Sequence, residues 1–237
     1  WRMVGGLKGD LSDAWSYDLY ALYAEVSSPQ EYVGDLSVTN MIDALDVVGD
    51  PDDPTTWTCR SGNPDCAPWN LFSAGGVTQA AMDYIMLNMV LSSGTKTQLV
   101  NGTLFGDLEE WGLMFPSASE GIQLALGTEY RKEWLFVHPD DNWEAGNGSG
   151  QGGPTVSVDG EDSVKEAFVE ALVPIVQDAP LFQDLSLELG YRYSDYSTAG
   201  GQNTYKALAA WAPSEALKFR LGYNRATDTF QLPNPHG

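Results

Sequence analysis

An all-β fold, an antiparallel up-and-down sheet of about eight strands, is predicted by three features of this sequence. Apolar and polar residues alternate with period two in stretch after stretch, most stretches are joined by short turns, and two connections are long and rich in Gly, Pro, Asp and Asn. Period two places alternate side chains on opposite faces of a sheet. The pattern fits a membrane β-barrel, whose apolar face meets lipid, and equally a soluble β-sandwich, whose apolar face meets a second sheet.

Taken in chain order, RMVGGLKGDL (2–11) opens the sheet, and SYDLYALYAEV (16–26) sets Tyr17, Leu19, Ala21 and Tyr23 against Asp18 and Ala24, with Tyr20 and Leu22 diluting the polar face. VTQAAMDYIMLNMV (77–90) reads as a helix capped by Thr78. The strand TKTQLVNGTLFGDL (95–108) follows. IQLALGTEYRKE (122–133) sets Ile122, Leu124, Leu126 and Tyr130 against Gln123, Gly127, Glu129 and Arg131. VKEAFVEALVPIV (164–176) also fits a helix, with Val164, Phe168, Leu172 and Ile175 on one stripe. It is read as a strand because the next stretch needs a hairpin partner. That stretch, LSLELGYRYSDYS (185–197), places Leu185, Leu187, Leu189, Tyr191 and Tyr193 on one face and Ser186, Glu188, Gly190, Arg192 and Ser194 on the other. NTYKALAAWAP (203–213) alternates Tyr205, Ala207, Ala209 and Trp211 up to the PSEA turn. EALKFRLGYNRA (215–226) places Leu217, Phe219, Leu221 and Tyr223 opposite Lys218, Arg220, Gly222 and Asn224.

The long connections, about 29–95 and 138–161, contrast with the short turns at 12–15, 177–183 and 212–216. Such asymmetry is the habit of outer-membrane barrels, with short turns on the periplasmic side. On that scheme Trp211 lies at the lower rim, and Tyr191, Tyr193, Tyr205 and Tyr223 at the upper. Tyr205 to Trp211 spans roughly 20 Å at about 3.3 Å per residue. Tyr17 joins the same lipid-facing or girdle set. Glu129, Arg131, Glu188, Arg192, Lys218 and Arg220 are expected on the lumen-facing side.

Composition narrows the function. The 33 acidic and 12 basic residues give a formal charge of −21, which repels phosphate backbones and argues against nucleic acid as a partner. The two cysteines, Cys59 and Cys66, lie in the loop-like CRSGNPDC, far in sequence from both histidines, so a small disulfide ring is favoured over free thiols or a metal site. A disulfide suits an oxidising compartment. The sequence has no apolar run of about 18 residues that would make a transmembrane helix, a test to which β-strands are invisible. WRMVGGLKGD carries no export signal, which for an exported protein suggests a fragment.

Catalytic patterns fail one by one. Ser149 in GNGSGQGG has Asn147 and Gln151 two residues away, so it is no nucleophile elbow. Gly-Lys-Ser/Thr is absent, and His138 and His236 are nearly a hundred residues apart. The acidic runs at 50–53 and at Asp140 and Asp141 lack the alternating spacing of a calcium loop. Glu166 and Glu170 would line one polar face of a strand rather than form an acid–base pair. Trp57, Trp69 and Trp143 are read as loop packing. Neither an enzymatic activity nor a cofactor is expected.

Several segments, in order, resemble the barrel domain of TonB-dependent receptors: WSYDLYALYAEV, CRSGNPDCAPWNLFSAGGVTQAAMDYI, GIQLALGTEYRKE, VKEAFVEALVPIVQD, LSLELGYRYSDYS and YKALAAWAPSEALKFRLGYNRAT. Together they cover most of residues 1–227. The resemblance implies a plugged barrel of about 22 strands in the outer membrane of a Gram-negative bacterium. It also implies import of a scarce nutrient (siderophore-bound iron, cobalamin or an oligosaccharide), energised by the TonB complex through a plug. On this reading residues 1–237 are an incomplete segment of the barrel domain, lacking the plug, with a divergent tail at 228–237. It is not expected to transport alone, and no ligand-contact residue is assigned. The alternative reading is a soluble extracellular β-sandwich that binds glycan or calcium.

Overall fold

The structure, a computed structural model, describes residues 1–150 and 153–226; the divergent tail at 228–237 lies outside the described residues. All eight strands expected from periodicity form: β1 (Arg2–Asp10), β2 (Trp15–Ser27), β6 (Met86–Asp107), β7 (Gln123–Pro139), β8 (Val158–Ala179), β9 (Phe182–Tyr196), β10 (Gly200–Ser214) and β11 (Leu217–Arg225). They pair in the order β1-β2-β6-β7-β8-β9-β10-β11, and β3 (Gln30–Leu36) adds a ninth strand beside β6. The sheet is antiparallel and open, with β1 and β11 at its ends.

The ambiguous segment 164–176 is a strand inside β8. Its register with β9 runs unbroken from Val164 opposite Tyr196 to Pro174 opposite Ser186, then slips between Pro174 and Val176. Proline has no N–H for the ladder, so a bulge there is where the pairing yields. The strand wins over the helix because β7 and β9 pair with it on both sides, a tertiary preference that local periodicity does not carry.

Two expectations need correction. The helix read over 77–90 is α2 (Gln79–Ile85), capped as expected by the Thr78 hydroxyl accepting from Ala81 N–H at 3.1 Å, but it stops after seven residues. From Met86 the chain is extended and begins β6, because Met89 and Leu91 are buried with Trp143 when alternate side chains face one way. The first long connection is therefore shorter than 29–95. It also holds a second helix, α1 (Val38–Leu45), besides the single one expected, together with the two-residue pair β4 (Val47–Val48) and β5 (Thr58–Cys59). The second long connection contains the one-turn helix α3 (Asp141–Glu144).

Contacts divide the chain into two compact units. One comprises Trp1–Glu25, Lys96–Trp134 and Glu161–Gly237; the other comprises Val26–Thr95 and Leu135–Gly160. The first is sheet and turns. The second holds a small buried cluster of Met89, Leu91 and Trp143, and in it Ala44 on α1 and Ala81 and Ile85 on α2 are also fully buried.

In the sheet unit, glycines on strands receive neighbouring rings. A Cβ at Gly127 would lie 2.1 Å from the Phe168 ring, and one at Gly106 would lie 2.6 Å from Trp15. Phe168 therefore fills the space that Gly127 leaves open. Gly127→Val is expected to destabilise the sheet by about 1–3 kcal/mol, the usual cost of overpacking, and Gly127→Val with Phe168→Ala to recover part of it. Unfolding midpoints of the two variants test this, and a double variant no better than the single one removes the explanation.

Candidate functional site

The sheet unit has two chemically opposite faces. On the apolar face the register aligns Tyr191 with Tyr205, Leu189 with Ala207, Leu187 with Ala209 and Leu185 with Trp211; on β11, Tyr223, Leu221 and Phe219 stand opposite Ala207, Ala209 and Trp211. Ala167, Val169, Ala171 and Val173 of β8 continue the same face, opposite Tyr193, Tyr191, Leu189 and Leu187. On β1 and β2, Leu7 faces Leu19 and Gly9 faces Tyr17. Of these, Leu7, Leu19, Leu189, Tyr191, Tyr193, Tyr205, Trp211, Phe219, Leu221 and Tyr223 stay exposed, from 38% at Trp211 to 79% at Leu221, while Leu185, Leu187, Val169, Ala171, Val173 and Ala209 are half-buried among their strand neighbours. A β-sandwich would have buried them beneath a second sheet.

Aromatic pairs border this face at both ends. Towards the short turns, Trp211 lies 5.9 Å from Phe182 and 5.5 Å from Phe219, and Trp15 lies 5.7 Å from Trp111. At the other end Tyr205 lies 6.0 Å from Tyr223, and Trp1 lies 5.0 Å from Tyr23. From Trp15 to Tyr23 is about 26 Å along the strand at ~3.3 Å per residue, which strand tilt shortens. The tryptophan and tyrosine rings carry polar tips: the Trp211 indole N–H donates to Leu181 O at 2.9 Å, and the Tyr191 hydroxyl donates to Asn203 Oδ1. Between the rims the face is Leu, Val and Ala. Sequence reasoning named Trp211 at the lower rim but missed Trp15, Phe182 and Trp111, whose signal was an aromatic residue at or near each strand end.

The polar face carries a charge ladder across β8, β9 and β10. Glu166, almost wholly buried, receives Arg192 Nη1 at 3.1 Å and the Ser194 hydroxyl at 2.6 Å. The Arg192 guanidinium also lies over the Phe168 ring, 4.9 Å from its centroid. Lys206 bridges two carboxylates, Glu170 at 3.0 Å and Glu188 at 2.6 Å. Its aliphatic stem crosses Gly190, where a Cβ would come within 2.7 Å of it.

The residues expected on the lumen side fall as follows. Glu188 and Arg192 belong to this ladder. Lys218 reaches Asp184 at 3.4 Å, Glu129 accepts from Asn101 Nδ2 at 3.1 Å, Arg131 is half-buried two residues along from Glu129, and Arg220 is exposed opposite Ala210. Tyr17, on the other face, is half-buried beside Gly9. Lys206 was missed, although a lysine on the polar face opposite Gly190, within reach of Glu170 and Glu188, is predictable once the register is known. Glu166 and Glu170 do share a face, each tied to its own cation rather than to the other.

The second unit is organised by caps and a disulfide. Cys59 and Cys66 are bonded, with Cα atoms 6.2 Å apart. The Asp35 carboxylate accepts from the Ser149 hydroxyl and the Gly150 N–H, both at 3.0 Å, so Ser149 serves as a tie between two connections. Asp53 caps its own turn through Thr55 N–H, and Asp140 caps α3 through Trp143 N–H while accepting Val90 N–H. These acidic side chains are occupied by backbone donors. Trp143 is core, Trp57 donates its indole N–H to Asp50 O, and the Trp69 Nε1 is buried without a partner among the described residues.

Asp43 and Tyr84 join α1 to α2: the Tyr84 hydroxyl donates to Asp43 Oδ2 at 2.7 Å and receives Asn63 Nδ2 at 3.0 Å. The Ser61 hydroxyl, then Tyr84 and Asn63, hold the Asp43 carboxyl below its usual range. Asp43 in turn raises the Tyr84 phenol. A lowered carboxyl contributes stability above its unfolded value, lost as pH falls through the folded one. A raised phenol contributes stability below its unfolded value, lost as pH rises through the folded one. The α1–α2 contact is thus expected to loosen in strong acid and again in alkali. Asp43→Asn should return the Tyr84 titration, followed by ring NMR shifts, towards that of a free tyrosine; an unmoved titration would rule out the pairing.

The family described as TonB dependent receptor-like, beta-barrel, matches residues 2–236. Among curated proteins and among solved structures nothing matches.

Proposed function

We propose that this chain, which belongs to the TonB-dependent receptor β-barrel family, forms part of the wall of an active transporter in the outer membrane of a Gram-negative bacterium. The family is one of outer-membrane receptors and transporters. The observation that carries the reading is the two-faced sheet: an exposed aliphatic band closed at both ends by aromatic pairs, opposite a face of paired charges. In a barrel wall the first face meets acyl chains with aromatic rings at the two interfaces, and the second faces the polar interior.

On this reading Tyr17, Tyr191, Tyr193, Tyr205, Trp211 and Tyr223 lie on the lipid side, and Glu129, Arg131, Glu188, Arg192, Lys218 and Arg220 on the lumen side. Residues 1–237 are then barrel-domain sequence throughout, and the Cys59–Cys66 bond suits the oxidising cell surface. The cargo is a scarce nutrient of the siderophore-iron, cobalamin or oligosaccharide kind, imported with energy delivered by the TonB complex through a plug. No catalytic role is proposed for any residue. The test is uptake of labelled members of each nutrient class by cells with and without the gene, before and after dissipating the membrane potential. Loss of one energy-dependent uptake on deletion is the expected result. Unchanged uptake of all three classes would remove the transport reading.

A further inference from the structure

Between β6 and β7 the chain does not turn tightly. Residues 108–122 form an ordered connection where the other turns at this end of the strands occupy only 11–14, 180–181 and 215–216. Its backbone is tied internally and to β8. Leu108 N–H donates to Ile122 O at 2.9 Å, Leu113 N–H to Leu108 O at 3.1 Å and Ile122 N–H to Leu113 O at 3.1 Å. Gln177 N–H donates to Ser117 O at 2.9 Å, and the Gln177 Oε1 accepts from the N–H groups of Ser119 and Glu120. Leu108 is buried as the root of the loop.

This fixed frame holds four large apolar side chains out: Trp111 is 65% exposed, Leu113 47%, Met114 42% and Phe115 41%. A soluble surface gains nothing from an ordered apolar protrusion of this kind, and exposed patches of this sort mark contact sites. Trp111 also packs in a tilted pair, at 5.7 Å, against Trp15, a ring of the apolar face's turn-end rim. The protrusion is therefore continuous with the face read as lipid-facing. Its only charged residues are Glu109, Glu110 and Glu120, so anionic headgroups would be repelled and the ammonium of a zwitterionic headgroup attracted.

We infer that residues 108–122 are a membrane-interface anchor. Trp111, Leu113, Met114 and Phe115 enter the headgroup–acyl boundary of a zwitterionic phospholipid leaflet on the side of the short turns. Trp111 extends the aromatic rim sideways, and the three glutamates remain in the headgroup layer. The strap from Ser117, Ser119 and Glu120 to Gln177 keeps the loop's polar backbone satisfied there, as a low-dielectric boundary requires. The inference rests on the proposed membrane reading and adds to it a specific element beyond the strands.

Site-directed spin labelling in the whole protein carrying this chain, in isolated outer membranes, tests it. The two cysteines of this chain are joined to each other, so, with any free cysteine elsewhere in the protein replaced by serine, a thiol introduced by Met114→Cys, Phe115→Cys, Leu189→Cys or Asp52→Cys is the one that takes the label. Collision with oxygen is expected to exceed collision with a polar nickel chelate at 189, 114 and 115, with the order reversed at 52. A lipid-like signal at 189 with water-like signals at both 114 and 115 overturns the anchor and leaves the membrane reading standing. A water-like signal at 189 overturns that reading, and the anchor with it.

Discussion

Leu187→Arg is expected to cost the membrane-embedded protein about 2–4 kcal/mol, whereas Ser186→Arg, one residue away, is expected to cost under about 1 kcal/mol. The difference follows from the pleat. Leu187 sits on the apolar face between Val173 and Ala209, in the middle of the band that separates Trp211 from Tyr205. An arginine there has only aliphatic neighbours across both strand pairs, and its guanidinium must be drawn out of hydrocarbon or reach for a distant interface. Ser186 lies on the opposite face between Pro174 and Ala210, on the side that carries Glu188, Glu170 and Lys206. An added cation there meets carboxylates and water. Denaturant unfolding of each variant in phospholipid vesicles gives the two costs. The ordering is the decisive part, because a soluble sandwich burying Leu187 would also suffer from the first substitution yet would unfold without any lipid dependence. Equal costs at 186 and 187, or a Leu187→Arg cost unchanged between detergent-free buffer and vesicles, would falsify the assignment of that face to lipid.

The contrast between neighbouring residues also shows why so much of the sheet was legible in the sequence. A strand exposed to different media on its two faces must alternate, so LSLELGYRYSDYS and ALKFRLGYNR announced both their conformation and their faces. The same rule failed where its premise did not hold. Met86–Leu91 is nearly continuously apolar except for Asn88, and a run of that kind in six residues is consistent with helix or strand; only the packing of Met89 and Leu91 against Trp143, more than fifty residues later, decides for strand. The helix α1 did carry a local signal, since Ser37 accepts from Asn40 N–H as an N-cap. That signal was outweighed by the loop-like composition around it. The ties that organise the second unit, Asp35 to Ser149 and Ser37 to Asn147, join residues more than a hundred positions apart and leave no periodic trace.

The polar face was legible as a face but not as a network. Glu188, Arg192 and Lys218 could be placed by alternation, while their partners depended on register: Lys206 stands opposite Gly190 and so can reach both Glu188, two residues along on β9, and Glu170, across Gly190 on β8. A one-residue slip would turn the lysine to the apolar face and leave two carboxylates unmatched. Gly190 permits the crossing because it offers no side chain beneath the lysine stem. The glycine is thus part of the charge arrangement rather than a weakness in the strand.

Arg192→Met is the other substitution with a large expected effect, about 3 kcal/mol of destabilisation, at the lower end of what stripping one partner from a buried pair costs. The lower end applies because Arg192 is itself 42% exposed and its charge is partly screened, whereas the Glu166 side chain is only 6% exposed. Removing the guanidinium leaves that carboxylate, among the described residues, with the Ser194 hydroxyl as its side-chain donor and also uncovers the Phe168 ring. The two losses can be separated. Glu166→Gln alone removes the charge that needs a partner but leaves Arg192 on Phe168. Glu166→Gln with Arg192→Met removes both charges, so it should be less damaging than Arg192→Met alone. Arg192→Lys keeps the charge but loses the planar contact with the ring, and is expected to fall between wild type and Arg192→Met. A double-mutant cycle on unfolding free energies in vesicles yields the coupling directly. If the double variant is as unstable as the sum of the two singles, Glu166 and Arg192 act independently, and the ladder across β8 to β10 is a set of solvated charges rather than a bracing element of the wall.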